Sequence, residues 1–140
     1  MKSLKWIIKI EAIDHDYQGY WQQQGWSDDA EVKTTAVIDT IPTNQNGFSK
    51  LGGIAYAGTR GIKSVELKVN DQEWIPAELF NPLSPLTWVI WIAELEIPTG
   101  ESTVTVRAID RDGNIQTEES SASHPDGASG YHSIKIKQET

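Results

Sequence analysis

The sequence predicts an all-β sandwich preceded by an irregular N-terminal arm. Three observations carry that reading. Apolar and polar residues alternate with period two in several short segments, residues suited to tight turns separate those segments, and no stretch keeps a convincing helical period.

From the amino end, Lys5 to Ile13 is expected as a strand with Trp6, Ile8 and Ile10 on one side. Residues 14–30 are polar, aromatic and aperiodic, and read as an ordered connecting arm. Val32 to Ile38 is a further expected strand, running into Ile41-Pro42 and the Gly/Asn-rich Thr43-Asn44-Gln45-Asn46-Gly47, which marks a boundary. The expected organisation is therefore an arm with strands over 1–47 and a main sandwich over 48–140.

Within that sandwich Val65, Leu67 and Val69 alternate with Glu66 and Lys68, and Ala93, Leu95 and Ile97 with Glu94 and Glu96. Val104, Val106 and Ala108 alternate with Thr103, Thr105 and Arg107, and Ile134 and Ile136 with Ser133, Lys135 and Lys137. A pleated strand sends such sets to opposite faces, so these are antiparallel strands wet on one face, with Val65, Leu67, Val69, Val104, Val106, Ile134 and Ile136 sharing one core. Asn70-Asp71, Pro98-Thr99-Gly100 and Arg111-Asp112-Gly113-Asn114 supply the turns, and Gly113 is expected at positive φ.

Composition narrows the chemistry. A compact domain of 140 residues buries roughly two-thirds of its unfolded surface, so no disulfide framework is needed. The chain has no cysteine, which removes thiolate ligands, disulfides and cysteine nucleophiles. A formal charge of −8 without a basic stripe argues against nucleic acid. The longest apolar runs, such as Trp88-Val89-Ile90-Trp91-Ile92-Ala93, are far shorter than the roughly 20 residues of a membrane span, and the first residues lack the pattern of a signal peptide.

Several residue types invite a functional reading. His15, His124 and His132 lack metal-ligand spacing, and His132 shares parity with Ile134, so a hydrogen-bonded histidine at the core edge is expected. Asp14, Asp16, Asp28 and Asp29 lack the glycine and terminal glutamate of a calcium loop and read as solvated surface. No G-x-S-x-G elbow is present, and Gly52-Gly53 and Gly58 read as tight turns and close sheet packing, not as a phosphate cradle. Arg107 and Asp110 read as a surface or interface ion pair. Of the six tryptophans, Trp74, Trp88 and Trp91 are expected in the core. An exposed coplanar pair would instead suit a carbohydrate-binding module, the alternative reading of such a sandwich.

From Phe48 onward the order of features resembles the immunoglobulin-like C-terminal Mo-co dimerisation domain of the sulfite oxidase family. The matching stretches are Gly53-Ile54-Ala55-Tyr56-Ala57-Gly58, Arg60-Gly61-Ile62, Val65-Glu66-Leu67-Lys68-Val69, Glu73-Trp74 with Ala77, and Thr87-Trp88 with Trp91. They continue with Val106-Arg107-Ala108-Ile109-Asp110, Gly113, Gln116 and Gly127-Ala128-Ser129-Gly130-Tyr131-His132. Earlier, Lys5-Trp6-Ile7, Ile10-Glu11, Gly19-Tyr20-Trp21, Gly25-Trp26 and Ile38-Asp39 with Pro42 resemble the segment joining cofactor domain to sandwich in membrane-associated relatives.

The resemblance implies an immunoglobulin-like β-sandwich belonging to an enzyme that transfers oxygen atoms at a molybdenum bound to molybdopterin and one cysteine thiolate. That cofactor is expected in a molybdopterin-binding domain of the parent polypeptide, absent from this chain, and no cofactor, metal site or catalytic residue is expected here. The partners implied are that domain and a second copy of the chain, with Trp21, Trp26, Arg107, Tyr131 and His132 as contact residues. One departure stands out: where animal-type sulfite oxidases place an anion-binding arginine before the last strand, this chain has His124-Pro125-Asp126-Gly127, whose acid would repel sulfite.

Overall fold

The computed structural model describes residues 5–29, 31–40, 42–45, 48–84 and 86–138. Two antiparallel sheets face each other. The first holds β1 (Thr35–Ile38), β2 (Thr43–Gln45), β3 (Phe48–Tyr56), β6 (Glu78–Leu79) and β7 (Val89–Glu96), in the order β1-β3-β7-β6 with β2 also on β3. The second holds β4 (Ile62–Val69), β5 (Ile75–Pro76), β8 (Gly100–Asp110) and β9 (His132–Gln138), in the order β5-β4-β8-β9. A single 3-10 turn, Gly58–Arg60, links β3 to β4, and the arm carries one short helix, α1 (Tyr20–Gln23).

The alternation sets the register. Val65, Leu67 and Val69 of β4 face inward opposite Ala108, Val106 and Val104 of β8, and all six are fully buried. Ile136 is buried on β9, Ile134 packs against the core, and Ala93, Leu95 and Ile97 complete the opposite wall with Trp91. Asn70 takes φ 51° and Gly113 φ 90°, as tight turns require. β1 and β2 precede Phe48 in sequence but pair with β3, and β1 also lies against β8 and β9 of the second sheet.

Gly53 shows why a glycine sits mid-strand. It pairs with Trp91 on one side and Ile38 on the other, and a Cβ there would lie 2.6 Å from Trp91 Cζ2 and collide with the Val37 carbonyl oxygen. Close approach of backbone and indole is what the residue permits.

Three expectations are corrected. Residues 5–13 form no strand: their alternation is real, but no strand among the described residues pairs with them, and Trp6, Ile8 and Ile10 are exposed. Trp88 is half exposed, because it precedes β7 and shares parity with the outward Ile90. Trp74 is only partly buried, lying outside β4 under a cationic cover. Of the expected strand Val32 to Ile38, Thr35–Ile38 forms.

Candidate functional site

The arm is latched to the loop before β9. Gly25, at φ 88°, turns the chain after α1 so that the Trp26 N–H donates to the Trp21 carbonyl (3.0 Å), and a Cβ at Gly25 would press on the His124 ring at 3.2 Å. The Trp21 and Trp26 rings meet edge to face at 6.3 Å, and Trp26 meets His124 likewise at 5.2 Å. The Ser27 N–H donates to the Pro125 carbonyl (3.3 Å), His124 Nε2 lies 3.2 Å from the Gln24 carbonyl, and Lys33 Nζ donates to the Gly127 carbonyl (2.7 Å). A carbonyl only accepts, so Nε2 carries the proton. Trp21 remains half exposed on the outside of this latch.

Arg107 and Tyr131 meet at a second cluster. Glu66 on β4 stands opposite Arg107 on β8, and its carboxylate accepts from Arg107 Nε (2.8 Å) and Nη2 (2.7 Å). The guanidinium lies 4.0 Å over the Trp74 ring, Lys68 Nζ lies 5.0 Å from it, and Tyr131 meets its edge at 5.6 Å. Burial alone works against the charge on Arg107, but hydrogen bonds and charge from Glu66, with Tyr131, outweigh it and raise the Arg107 pKa.

His132 turns elsewhere. Its Nδ1 accepts from the Ile38 N–H at 3.1 Å, joining the edge strand of one sheet to the edge strand of the other, as expected of a hydrogen-bonded histidine at the core edge. Because Nδ1 accepts, Nε2 is the ring nitrogen left to donate. Of the five candidate contact residues, Trp21 thus meets Trp26, Arg107 meets Tyr131 both directly and across Trp74, and His132 bonds to β1.

The reading of Asp110 as half of a surface pair is corrected: its side chain is fully buried and its partner is Arg60, not Arg107. Its carboxylate accepts from Arg60 Nε (2.9 Å), Thr34 Oγ1 (3.1 Å), Asn114 Nδ2 (3.1 Å) and the N–H groups of Asn114 (2.8 Å) and Asp112 (3.1 Å). Arg60 also donates to the Val32 carbonyl at 2.7 Å and to Glu31 at 3.2 Å, so this hub ties β8, its turn, the 3-10 turn and the approach to β1. Burial would raise the Asp110 pKa, yet the bonds from Asn114, Arg60 and Thr34 outweigh it and bring it to about 2. The signal was present in the sequence: Asp110 shares the parity of Val104, Val106 and Ala108, all inward.

Beside the hub, a cleft of about 370 Å³ is lined by Lys33, Gln116, Asp126 and Gly127 among others. Its chief polar groups are engaged, Lys33 with Gly127 and the Gln116 amide with the Ala108 N–H and the Gly130 carbonyl. Among the described residues no group of three or more His, Asp or Glu stands ready for a metal ion.

At the end formed by β1, the end of β3 and the start of β7, the outer face of the first sheet is apolar. Val37, Ile54 and Ile90 form a row across β1, β3 and β7, extended by Phe80, whose N–H donates to the Ile90 carbonyl (2.9 Å). Tyr56 and Trp88 stack beside it at 4.9 Å and 24°. Ile90, Trp88 and Phe80 are each about half exposed. No residue type alone announced this face, since the sequence reading assigned Trp88 inward.

No family model and no curated protein matches the chain. Among solved structures its fold is similar to the sulfane dehydrogenase SoxCD of Paracoccus pantotrophus, with a TM-score of 0.61 and 18% identity over 75% of this chain. The chain spans 30% of the length of that neighbour. The likeness is one of fold.

Proposed function

We propose that this chain is the structural domain of a molybdopterin-dependent oxidoreductase of the sulfite oxidase family, supporting the domain that holds the cofactor and pairing with a second copy, without catalysis of its own. The observation that carries the reading is the uncovered apolar face of Val37, Ile54, Ile90, Phe80, Tyr56 and Trp88. A contiguous apolar sheet face of this kind suits contact with another protein surface. The ordered motifs from Gly53 to His132 support the family, and the fold likeness to a domain-sized share of a dehydrogenase supports a place within a larger oxidoreductase.

The residues present do not fit the cofactor itself. Molybdenum in this family is held by a thiolate, and the chain has no cysteine. The donors that usually receive a pterin pyrophosphate are helix N-termini and glycine-rich loops, and the helix here is a single turn. No catalytic step is therefore assigned to this chain.

The carbohydrate-binding alternative needs a flat platform of coplanar rings. Trp21 and Trp26 stand at 83°, and Trp88 lies face to face with Tyr56, so the pairs formed by these three tryptophans present no such platform.

The purified chain is expected to retain no molybdenum through gel filtration and to reduce no artificial electron acceptor with sulfite or another oxygen-atom acceptor. Metal analysis and a turnover assay check this. Stoichiometric molybdenum, or turnover above a denatured control, contradicts the reading.

A further inference from the structure

Three edge-to-face contacts run in series through the latch. Tyr20 meets Trp21 at 77°, Trp21 meets Trp26 at 83°, and Trp26 meets His124 at 81°, so four rings from the arm and the loop stand nearly at right angles to their neighbours. Tyr20 and Trp21 are 66% and 50% exposed, and α1 buries no residue, so these rings are held in place without being covered. Rigid, half-exposed aromatic rings of this kind anchor protein contacts at small entropic cost.

The latch is also where the chain's negative charge is gathered. Residues 11–31 hold six carboxylates and residues 116–131 hold three, with no lysine or arginine in either stretch. Together they carry −9, so the rest of the chain carries +1, the chain total of −8 less this −9. The two stretches cross at the bond from Ser27 to Pro125, next to Trp26 and His124 in sequence, and there Asp29, Glu31 and Asp126 line a hollow of about 360 Å³. The cations lining it are engaged, Lys33 with the Gly127 carbonyl and Arg60 with Asp110 and Glu31. Asp29 and Asp126 are exposed, and neither forms an ion pair among the described residues.

The second sheet shows what a ring and a carboxylate hold between them. The Arg107 guanidinium lies over the Trp74 ring at 4.0 Å while Glu66 accepts from it. We propose that the latch offers the same chemistry to the outside: it docks an arginine-bearing segment of a basic partner protein, with a guanidinium over the exposed Trp21 ring and neighbouring cations against Asp29 and Asp126. A guanidinium suits the rings, being planar and weakly hydrated, and the carboxylates steer it. A second copy is a poor occupant, since it brings the same −9 and only +1 elsewhere. Nucleic acid and anionic lipid carry the wrong sign. The inference goes beyond the family reading and needs no cofactor domain.

Fluorescence anisotropy of a labelled hexa-arginine peptide, titrated with the full chain, tests it. Saturable binding is expected, weaker for hexa-lysine and absent for hexa-glutamate. Trp21→Ala and the double variant Asp29→Asn/Asp126→Asn alter only exposed side chains, and each should bind at least about fivefold more weakly with unchanged circular dichroism. Glu94→Gln/Glu96→Gln removes the same charge as the aspartate pair, from the exposed outer side of β7, and should change binding less than about twofold. Absence of saturable binding overturns the proposal. So does full-strength binding by either latch variant, equal affinity for hexa-lysine, or an equal loss in the Glu94 and Glu96 control, since the peptide then reads net charge alone. Light scattering on the same samples should show a chain whose own mass is unchanged by the peptide. A dimer that the peptide takes apart would make a second copy the occupant and overturn the assignment to another protein.

Discussion

Asp110→Ala is expected to cost about 3–5 kcal/mol of stability, the range for removing one partner of a buried ion pair. The substitution strips Arg60, Thr34, Asp112 and Asn114 of a shared acceptor at a position with no solvent access. Chemical denaturation of the variant measures the loss, and a change below about 1 kcal/mol would show that the hub contributes little. The same group sets an acid dependence. Its folded pKa is lowered from 3.8 to about 2, so its stabilisation is complete above pH 3.8 and is lost as pH falls through about 2. The difference in stability between the unaltered chain and Asp110→Asn should therefore hold steady above about pH 4 and shrink by about 2 kcal/mol toward pH 2. A difference that grows on acidification would mean that the carboxylate is protonated in the fold.

Trp91→Ala is expected to cost about 3–5 kcal/mol, as for other large aromatic truncations in a packed core. Trp91 is fully buried and fills the space that Gly53 leaves above the strand. Its Nε1 makes no hydrogen bond, so the loss reports packing alone, and Trp91→Phe should cost distinctly less because it deletes an unpaired donor together with part of the ring. Equal losses for the two variants, followed by urea denaturation, would place the indole outside the packed centre.

The strands were legible because one face of each meets water. Val65, Leu67 and Val69 cannot all turn inward unless Glu66 and Lys68 turn out, and the register follows from that constraint. The same rule failed at residues 5–13, since alternation states what a strand would bury but not whether a partner strand exists. It was under-used at Asp110, where parity pointed inward and the charge suggested the surface. Asn114 was legible as a turn residue and donates to Asp110 four positions away, whereas the bond from Arg60 to Asp110 joins residues 50 positions apart and left no local trace. Trp88 was misplaced because its aromatic size suggested the core, while its parity matched the outward Ile90.

Trp21 and Trp26 were read as contact residues of the arm, but their meeting with each other and the latch onto His124 and Pro125 were not, the latter because it joins the arm to a loop about 100 residues away. Arg107 and Tyr131 were named separately as contact residues, and they meet each other and the Trp74 ring on the outside of the second sheet. Cation–π stacking of this kind carries no sequence periodicity, so position alone could not reveal it.

The central claim, the proposal that an uncovered face of this sandwich docks against a domain carrying the cofactor, is tested most directly by titrating the chain with the separately produced cofactor domain of the proposed parent enzyme in a calorimeter. The account predicts saturable binding that Ile90→Asp and Trp88→Asp each weaken at least about tenfold, since a charge set into a desolvated apolar contact is left unpaired. Absence of binding, or binding of unchanged strength in both variants, would contradict it.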